Sequence, residues 1–106
     1  MAKLLSGNEI AEYLKKTETW TLLEGKQAIH RTYILKNFTA ALDFVNRVGA
    51  EAEGMDHHPD IFLHDYKNVT LTLSTHDAGG LTRMDFDLAA KIENAFQQLQ
   101  NLTVPK

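Results

Sequence analysis

The order of signals along the chain predicts an α+β fold, α-β-β-α-β-β-α, with three helices packed on one face of a four-stranded antiparallel sheet. Three observations carry that expectation. Val69-Thr70-Leu71-Thr72-Leu73 alternates apolar and hydroxyl side chains strictly, as a strand does when one face meets a core and the other meets water. Phe38, Ala41, Leu42, Val45, Val48 and Ala52 recur at helical spacing. So do Leu88, Ala89, Ile92, Ala95, Phe96 and Leu99 near the far end.

Each element has a local reason. Ser6-Gly7-Asn8-Glu9 has the S-x-x-E form of a capping box, and Ile10, Ala11 and Leu14 follow as a stripe, so a helix is expected over 6–18. Trp20-Thr21-Leu22-Leu23 reads as a first strand, Glu24-Gly25-Lys26 as a hairpin turn, and 27–35, with Ile29, Thr32, Tyr33 and Ile34, as a second strand. Trp20 is assigned to the core, and His30 to a structural or solvent-facing place. Asn37 caps a helix over 37–53. Ala40 and Phe44 widen the stripe of that helix, which fits either deep burial or a face shared with another subunit. Residues 61–66 and 69–75 form the second strand pair, joined at Lys67-Asn68. Asp77-Ala78-Gly79-Gly80 breaks the pattern. Thr82 then caps the last helix, Asp85 takes the capping-box position, and Pro105 lies past the end.

A length of 106 residues predicts a single domain, 1–106. A net charge of −3 argues against broad affinity for nucleic acid or anionic membrane. The absence of cysteine rules out disulfides, thiolate metal sites and cysteine nucleophiles. No apolar run reaches spanning length and the N-terminus lacks the apolar core of a signal peptide, so the cytoplasm is the expected location.

Chemistry concentrates in Glu53-Gly54-Met55-Asp56-His57-His58-Pro59 and in Ser74-Thr75-His76-Asp77, which hold three of the five histidines. The strands between them can bring the two segments side by side. Three readings are open for these histidines. His57, His58 and His76 could be nitrogen ligands of zinc, although adjacent histidines on extended backbone point to opposite sides. They could be surface residues at a helix end and a strand end. Or they could form a metal-free acid–base site, since imidazole exchanges protons near neutrality and a carboxylate beside it fixes its tautomer and raises its basicity. No serine or cysteine nucleophile pattern, phosphate loop or dinucleotide motif competes.

At these residues the chain resembles the pterin-4a-carbinolamine dehydratase family. The pattern is Glu53, three residues, His57-His58-Pro59, six residues, Tyr66, nine residues, His76, eight residues, Asp85. Leu71-Thr72-Leu73-Ser74-Thr75-His76 and Asp77-Ala78-Gly79-Gly80-Leu81-Thr82 agree with it, and the likeness runs from about Leu4 to Leu99. The resemblance implies dehydration of 4a-hydroxytetrahydrobiopterin to quinonoid dihydrobiopterin, without a cofactor or metal, in recycling of the tetrahydro form. It implies His57 and His76 as the proton-transfer pair, with His58 shaping the site and assisting. It places substrate contacts at Glu53, Asp56, Pro59, Thr75, Asp77 and Ala78. It also implies a homodimer or homotetramer. A protein partner at helix 37–53 is the alternative role, by likeness to the family's animal members, which act as dimerisation cofactors of a transcription factor. Direct nucleic-acid or membrane contact is not expected. His57 is pictured as solvent-reachable, so its removal should cost little stability. Asp85 is read first as a cap.

Overall fold

The computed structural model describes residues 3–17, 19–23, 25 and 27–103. Its elements are α1 (Gly7–Lys16), β1 (Thr21–Leu22), β2 (Ile29–Ile34), α2 (Phe38–Met55), β3 (Asp60–His64), β4 (Asn68–Leu73), a 3-10 turn (His76–Ala78) and α3 (Arg83–Thr103). The four strands form one antiparallel sheet in the order β1-β2-β4-β3. The α+β class and the order of elements are therefore as the sequence predicts. No described helix is long and apolar enough to cross a membrane.

Local chemistry sets the helix starts. The Ser6 hydroxyl accepts from the Glu9 N–H, and the Glu9 carboxylate accepts from the Ser6 N–H. This reciprocal pairing satisfies two otherwise orphaned donors. Asn37 Oδ1 accepts from the Ala40 N–H at 2.8 Å to open α2. α1 stops at Lys16 rather than 18, with the Thr17 hydroxyl donating to the Tyr13 carbonyl. Glu24 and Lys26 of the expected hairpin turn, Glu18 and Pro105 lie outside the described residues.

Register divides the sheet into two faces. Val69, Leu71 and Leu73 are fully buried and pair across β2 with Tyr33, Arg31 and Ile29. α2 covers that face with Ala41, Phe44, Val48 and Ala52, and α3 with Leu88, Ala89, Ile92 and Leu99. The aromatic centre is Tyr33, with Phe44 and Phe96 at ring-centroid distances of 4.8 and 4.6 Å. Trp20, only 4% exposed, completes this core as expected. Arg31 crosses the layer to Glu93 on α3, with its guanidinium 3.8 Å above the Tyr33 ring. His30, Thr32, Thr70 and Thr72 alternate with the core-facing residues of β2 and β4 and project on the other face, where the core residues of α2 and α3 do not lie.

Two expectations need correction. The second hairpin turns at Asp65-Tyr66-Lys67, not at Lys67-Asn68, because Asp65 and Tyr66 both adopt positive φ (47° and 51°). Two successive left-handed residues match the twist of the flanking strands. The stripe of α2 is also rotated from the expected one. Phe44 is fully buried at its centre, whereas Phe38 and Leu42 are 49% and 45% exposed. The helix-spaced set was centred one position off because Phe44 fits the gap between Tyr33 and Phe96.

Candidate active site

α2 delivers the first site segment. Asp56 ends the helix in the left-handed conformation, and the His57 N–H bonds back to the Ala52 carbonyl at 3.0 Å. This turn swings the chain inward, so His57 is only 7% exposed. There its Nε2 lies 2.7 Å from Asp85 Oδ1. Asp85, at 0% exposure, is the hub of a closed network. Its Oδ2 accepts from the Thr75 hydroxyl at 2.8 Å and from the Thr82 N–H at 2.9 Å. Thr75 has spent its one proton on Asp85, so the Thr82 hydroxyl, 2.8 Å away, donates to Thr75. Thr82 in turn accepts from the Met84 N–H. With Asp85 as acceptor throughout, His57 donates from Nε2 to it.

His58 is built the opposite way. It is exposed, and its Nε2 bonds the Glu53 carboxylate across the helix end. That hydrogen bond raises the His58 pKa above the usual imidazole value; desolvation opposes it, and the charges of Glu53 and then Asp56 add lesser rises. His76 opens the 3-10 turn and is exposed, and its ring makes no hydrogen bond or ion pair with a described residue.

Asp56, His57, His58, Thr75, His76 and Asp77 surround one hollow of about 200 Å³, so the two segments do converge. His58 and His76 also line a neighbouring cavity of about 310 Å³. Glu53 reaches the site through His58, and Pro59 and Ala78 line neither space. His58 takes Glu53, a carboxylate of its own segment, whereas His57 takes Asp85 and not the adjacent Asp56. Asp56 acts on His58 by charge, and the Asp77 side chain makes no hydrogen bond or ion pair with His76. Thr75, expected at the substrate, has its hydroxyl committed to Asp85 and its N–H to the Gly80 carbonyl. The Ala78 N–H is likewise committed, to the Thr75 carbonyl. His57 is buried, which overturns the picture of a solvent-reachable ring.

Asp85 does cap α3, and the same carboxylate also holds His57 and Thr75. Its match to the family spacing was the available signal, since a cap alone does not require a fixed interval to a histidine. Among the described residues, no group of three or more His, Cys, Asp or Glu is arranged to hold a metal ion.

Comparisons with known proteins agree with this architecture. The profile of the pterin 4 alpha carbinolamine dehydratase family matches residues 3–95. A protein of Picosynechococcus sp., named as a candidate pterin-4-alpha-carbinolamine dehydratase, is 46% identical over 93 residues, covering 88% of this chain and 98% of its own. One of the same name from Nostoc punctiforme is 48% identical over 92 residues, covering 87% and 96%. The crystal structure of a transcriptional coactivator/pterin dehydratase from Brucella melitensis superposes with a TM-score of 0.81 at 34% identity, over 86% of this chain and 96% of that one. A pterin dehydratase-like protein identified as a RuBisCO assembly factor in the alpha-carboxysome shares the fold, with a TM-score of 0.61 at 17% identity over 73% and 88% of the two chains. With histidines at matching intervals, a profile spanning nearly its whole length and relatives this similar, the chain belongs to the pterin-4-alpha-carbinolamine dehydratase family.

Proposed function

We propose that this protein dehydrates 4a-hydroxytetrahydrobiopterin to quinonoid dihydrobiopterin and water. The observation that carries the reading is the convergence of His57, His58 and His76 on one hollow, two of them with carboxylate partners in unlike surroundings. Dehydration breaks the C4a–O bond, delivers a proton to the departing hydroxyl and removes the N5 proton. One group must therefore hold a proton while another lacks one. His58 suits the acid, because Glu53 keeps it protonated to higher pH. His57 suits the base, because Asp85 fixes its tautomer and would stabilise the imidazolium formed at Nδ1. His76 faces both from the second segment and completes the proton-transfer set expected from the sequence. No step needs a cofactor or a Lewis acid.

The test is stopped-flow dehydration of synthetic 4a-carbinolamine, before and after exhaustive chelation. We expect turnover above the spontaneous rate, unchanged by chelation. A rate equal to the uncatalysed one removes the reading, and a loss with EDTA that zinc restores replaces it with metal chemistry.

A second copy of the chain is the partner we propose for the outward side of α2, where Phe38 and Leu42 stand exposed. The coactivator name of the Brucella relative makes another protein the competing occupant. Light scattering should give a mass above the single-chain 12.0 kDa, and Phe38→Ser with Leu42→Ser should lower it.

A further inference from the structure

Two of the three site histidines are held by a carboxylate, but the His76 ring has no hydrogen-bond or ion-pair partner among the described residues. Its placement therefore falls to the backbone that carries it. That backbone is a loop over 75–82, pinched at its neck by an antiparallel bridge between Thr75 and Gly80. The Thr75 N–H donates to the Gly80 carbonyl at 2.9 Å, and the Gly80 N–H returns to the Thr75 carbonyl at 3.3 Å. Behind the loop, the Leu5 N–H donates to the Leu81 carbonyl at 2.9 Å.

A second clasp lies beside the bridge. The Thr82 hydroxyl meets the Thr75 hydroxyl at 2.8 Å, and Thr75 gives its own proton to Asp85, the acceptor of His57. Thr82 is fully buried and Thr75 is 8% exposed, so little water competes for either. Capping explains one side of the Thr82 oxygen, which accepts from the Met84 N–H at 3.2 Å. It does not explain the donor side. If the Thr75 proton turned to Thr82 instead, Thr75 Oγ1 and Asp85 Oδ2 would face each other as bare acceptors 2.8 Å apart, a costly arrangement out of water. The donors therefore run one way, from Thr82 to Thr75 to Asp85.

We propose that Thr82 is a positioning residue for the reaction, acting through Thr75. Its hydroxyl holds Thr75 against Asp85 and so ties the His57 network to the neck of the His76 loop. Both walls of the hollow that these histidines line then keep one geometry. This rests on the reading of the site as that of a dehydratase.

Thr82→Val keeps the shape but sets a methyl where the hydroxyl was. Ordinary C···O contact needs roughly 0.5 Å more than the 2.8 Å between the two hydroxyls. Thr75 must then leave its place on Asp85, or the neck must widen. The kcat should fall roughly 10-fold with KM near wild type, since a misplacement of about 1 Å costs about 10²-fold. Thr82→Ser keeps the donor and should turn over near the wild-type rate. Loss of the cap alone would lower the melting temperature and nothing else, so two readouts separate the roles. The first is a cycle with Thr75→Ala, in whose background Thr82→Val should add little to the loss in kcat. The second is the His57 Nε2–H resonance by NMR, in slow exchange in wild type and Thr82→Ser and broadened in Thr82→Val. If wild type dehydrates the carbinolamine but the losses multiply across the cycle, or the resonance ignores Thr82→Val, the proposal falls and the dehydratase reading stands. If wild type does not dehydrate it and the resonance still follows Thr82, the reading falls and the clasp stands. If wild type does neither, both fall. Thr82→Ala takes the place of a Thr82→Val that does not fold. Wild type alone gives a further check: its Thr75 hydroxyl proton should exchange slowly with water, and fast exchange overturns the proposal without any variant.

Discussion

His57–Asp85 and His58–Glu53 are the same chemical pair, an imidazole on a carboxylate, and they start from adjacent residues. Their surroundings are opposite. The side chains of the first pair are 8% and 0% exposed, and those of the second are 58% and 77% exposed. In the first, the carboxylate spends both oxygens on donors from three parts of the chain, so geometry is fixed and water is excluded. In the second, the pair sits in water, contributes little to folding and serves mainly to bias a proton. One pair therefore supplies rigidity and a defined tautomer, while its neighbour supplies a tunable charge. Acid–base chemistry on one substrate needs both.

The largest expected effect breaks the buried pair. Asp85→Ala leaves the His57 ring, the Thr75 hydroxyl and the Thr82 N–H without their acceptor. Removing one partner of a buried pair costs about 3–5 kcal/mol. Turnover should fall by roughly 10²–10⁴, the range for a positioned acid or base. Urea denaturation and stopped-flow dehydration read the two losses. His57→Ala should lose activity on the same scale, and now stability as well, since its ring is buried. Combined with His76→Ala, the activity losses should be less than additive if the two residues act as a unit. Wild-type urea curves for both Asp85→Ala and His57→Ala would show that the network is not structural.

Much of the fold was legible because its causes are local. Ser6 and Glu9 announce α1, Asn37 announces α2, and the alternation over 69–73 announces a half-buried strand, each within a few residues. The same short reach led the site reading toward Asp56 and Asp77, the carboxylates next in sequence. The partner of His57 lies 28 residues away and is brought near by the packing of α3, which no local pattern encodes. Phe44 was placed on the margin of its stripe for a related reason. Helical spacing narrows the buried face to an arc, and only the Tyr33 and Phe96 rings opposite decide its centre. The second hairpin turn was missed because Asp65 and Tyr66 give no glycine signal for their positive φ.

A smaller effect separates charge tuning from structure. The folded-state pKa of His58 is raised, so the group keeps its proton further into alkaline pH than an ordinary imidazole. Any stabilisation from the pair is present below the ordinary value and is lost as pH rises through the raised one. If His58 is the acid, the alkaline limb of kcat lies above about 6.5, the unperturbed histidine value. Glu53→Gln should move that limb downward while leaving the melting temperature unchanged. A limb that stays in place would remove His58 from the acid role and return it to His76.

The smallest effect concerns a third imidazole–carboxylate pair, His64 with Asp65, at the far end of β3. His64 Nδ1 lies 3.0 Å from Asp65, its Nε2 lies 2.8 Å from the Thr70 hydroxyl, and its ring stacks on Phe62. By hydrogen bonding alone this pair looks as well built as the other two. It lines neither cavity of the site, however, and Asp65 is 79% exposed. If pairing with a carboxylate were enough to make a histidine catalytic, His64→Ala would slow dehydration. If convergence on the hollow decides, His64→Ala should turn over at the wild-type rate across the pH range, and so should His30→Ala. His64→Ala should lose only about 0.2–1 kcal/mol, the worth of a cross-strand pair. A rate loss in His64→Ala comparable to that of His57→Ala would show that the assay reports general weakening of the sheet. The contrast between the buried and exposed pairs would then carry no catalytic meaning.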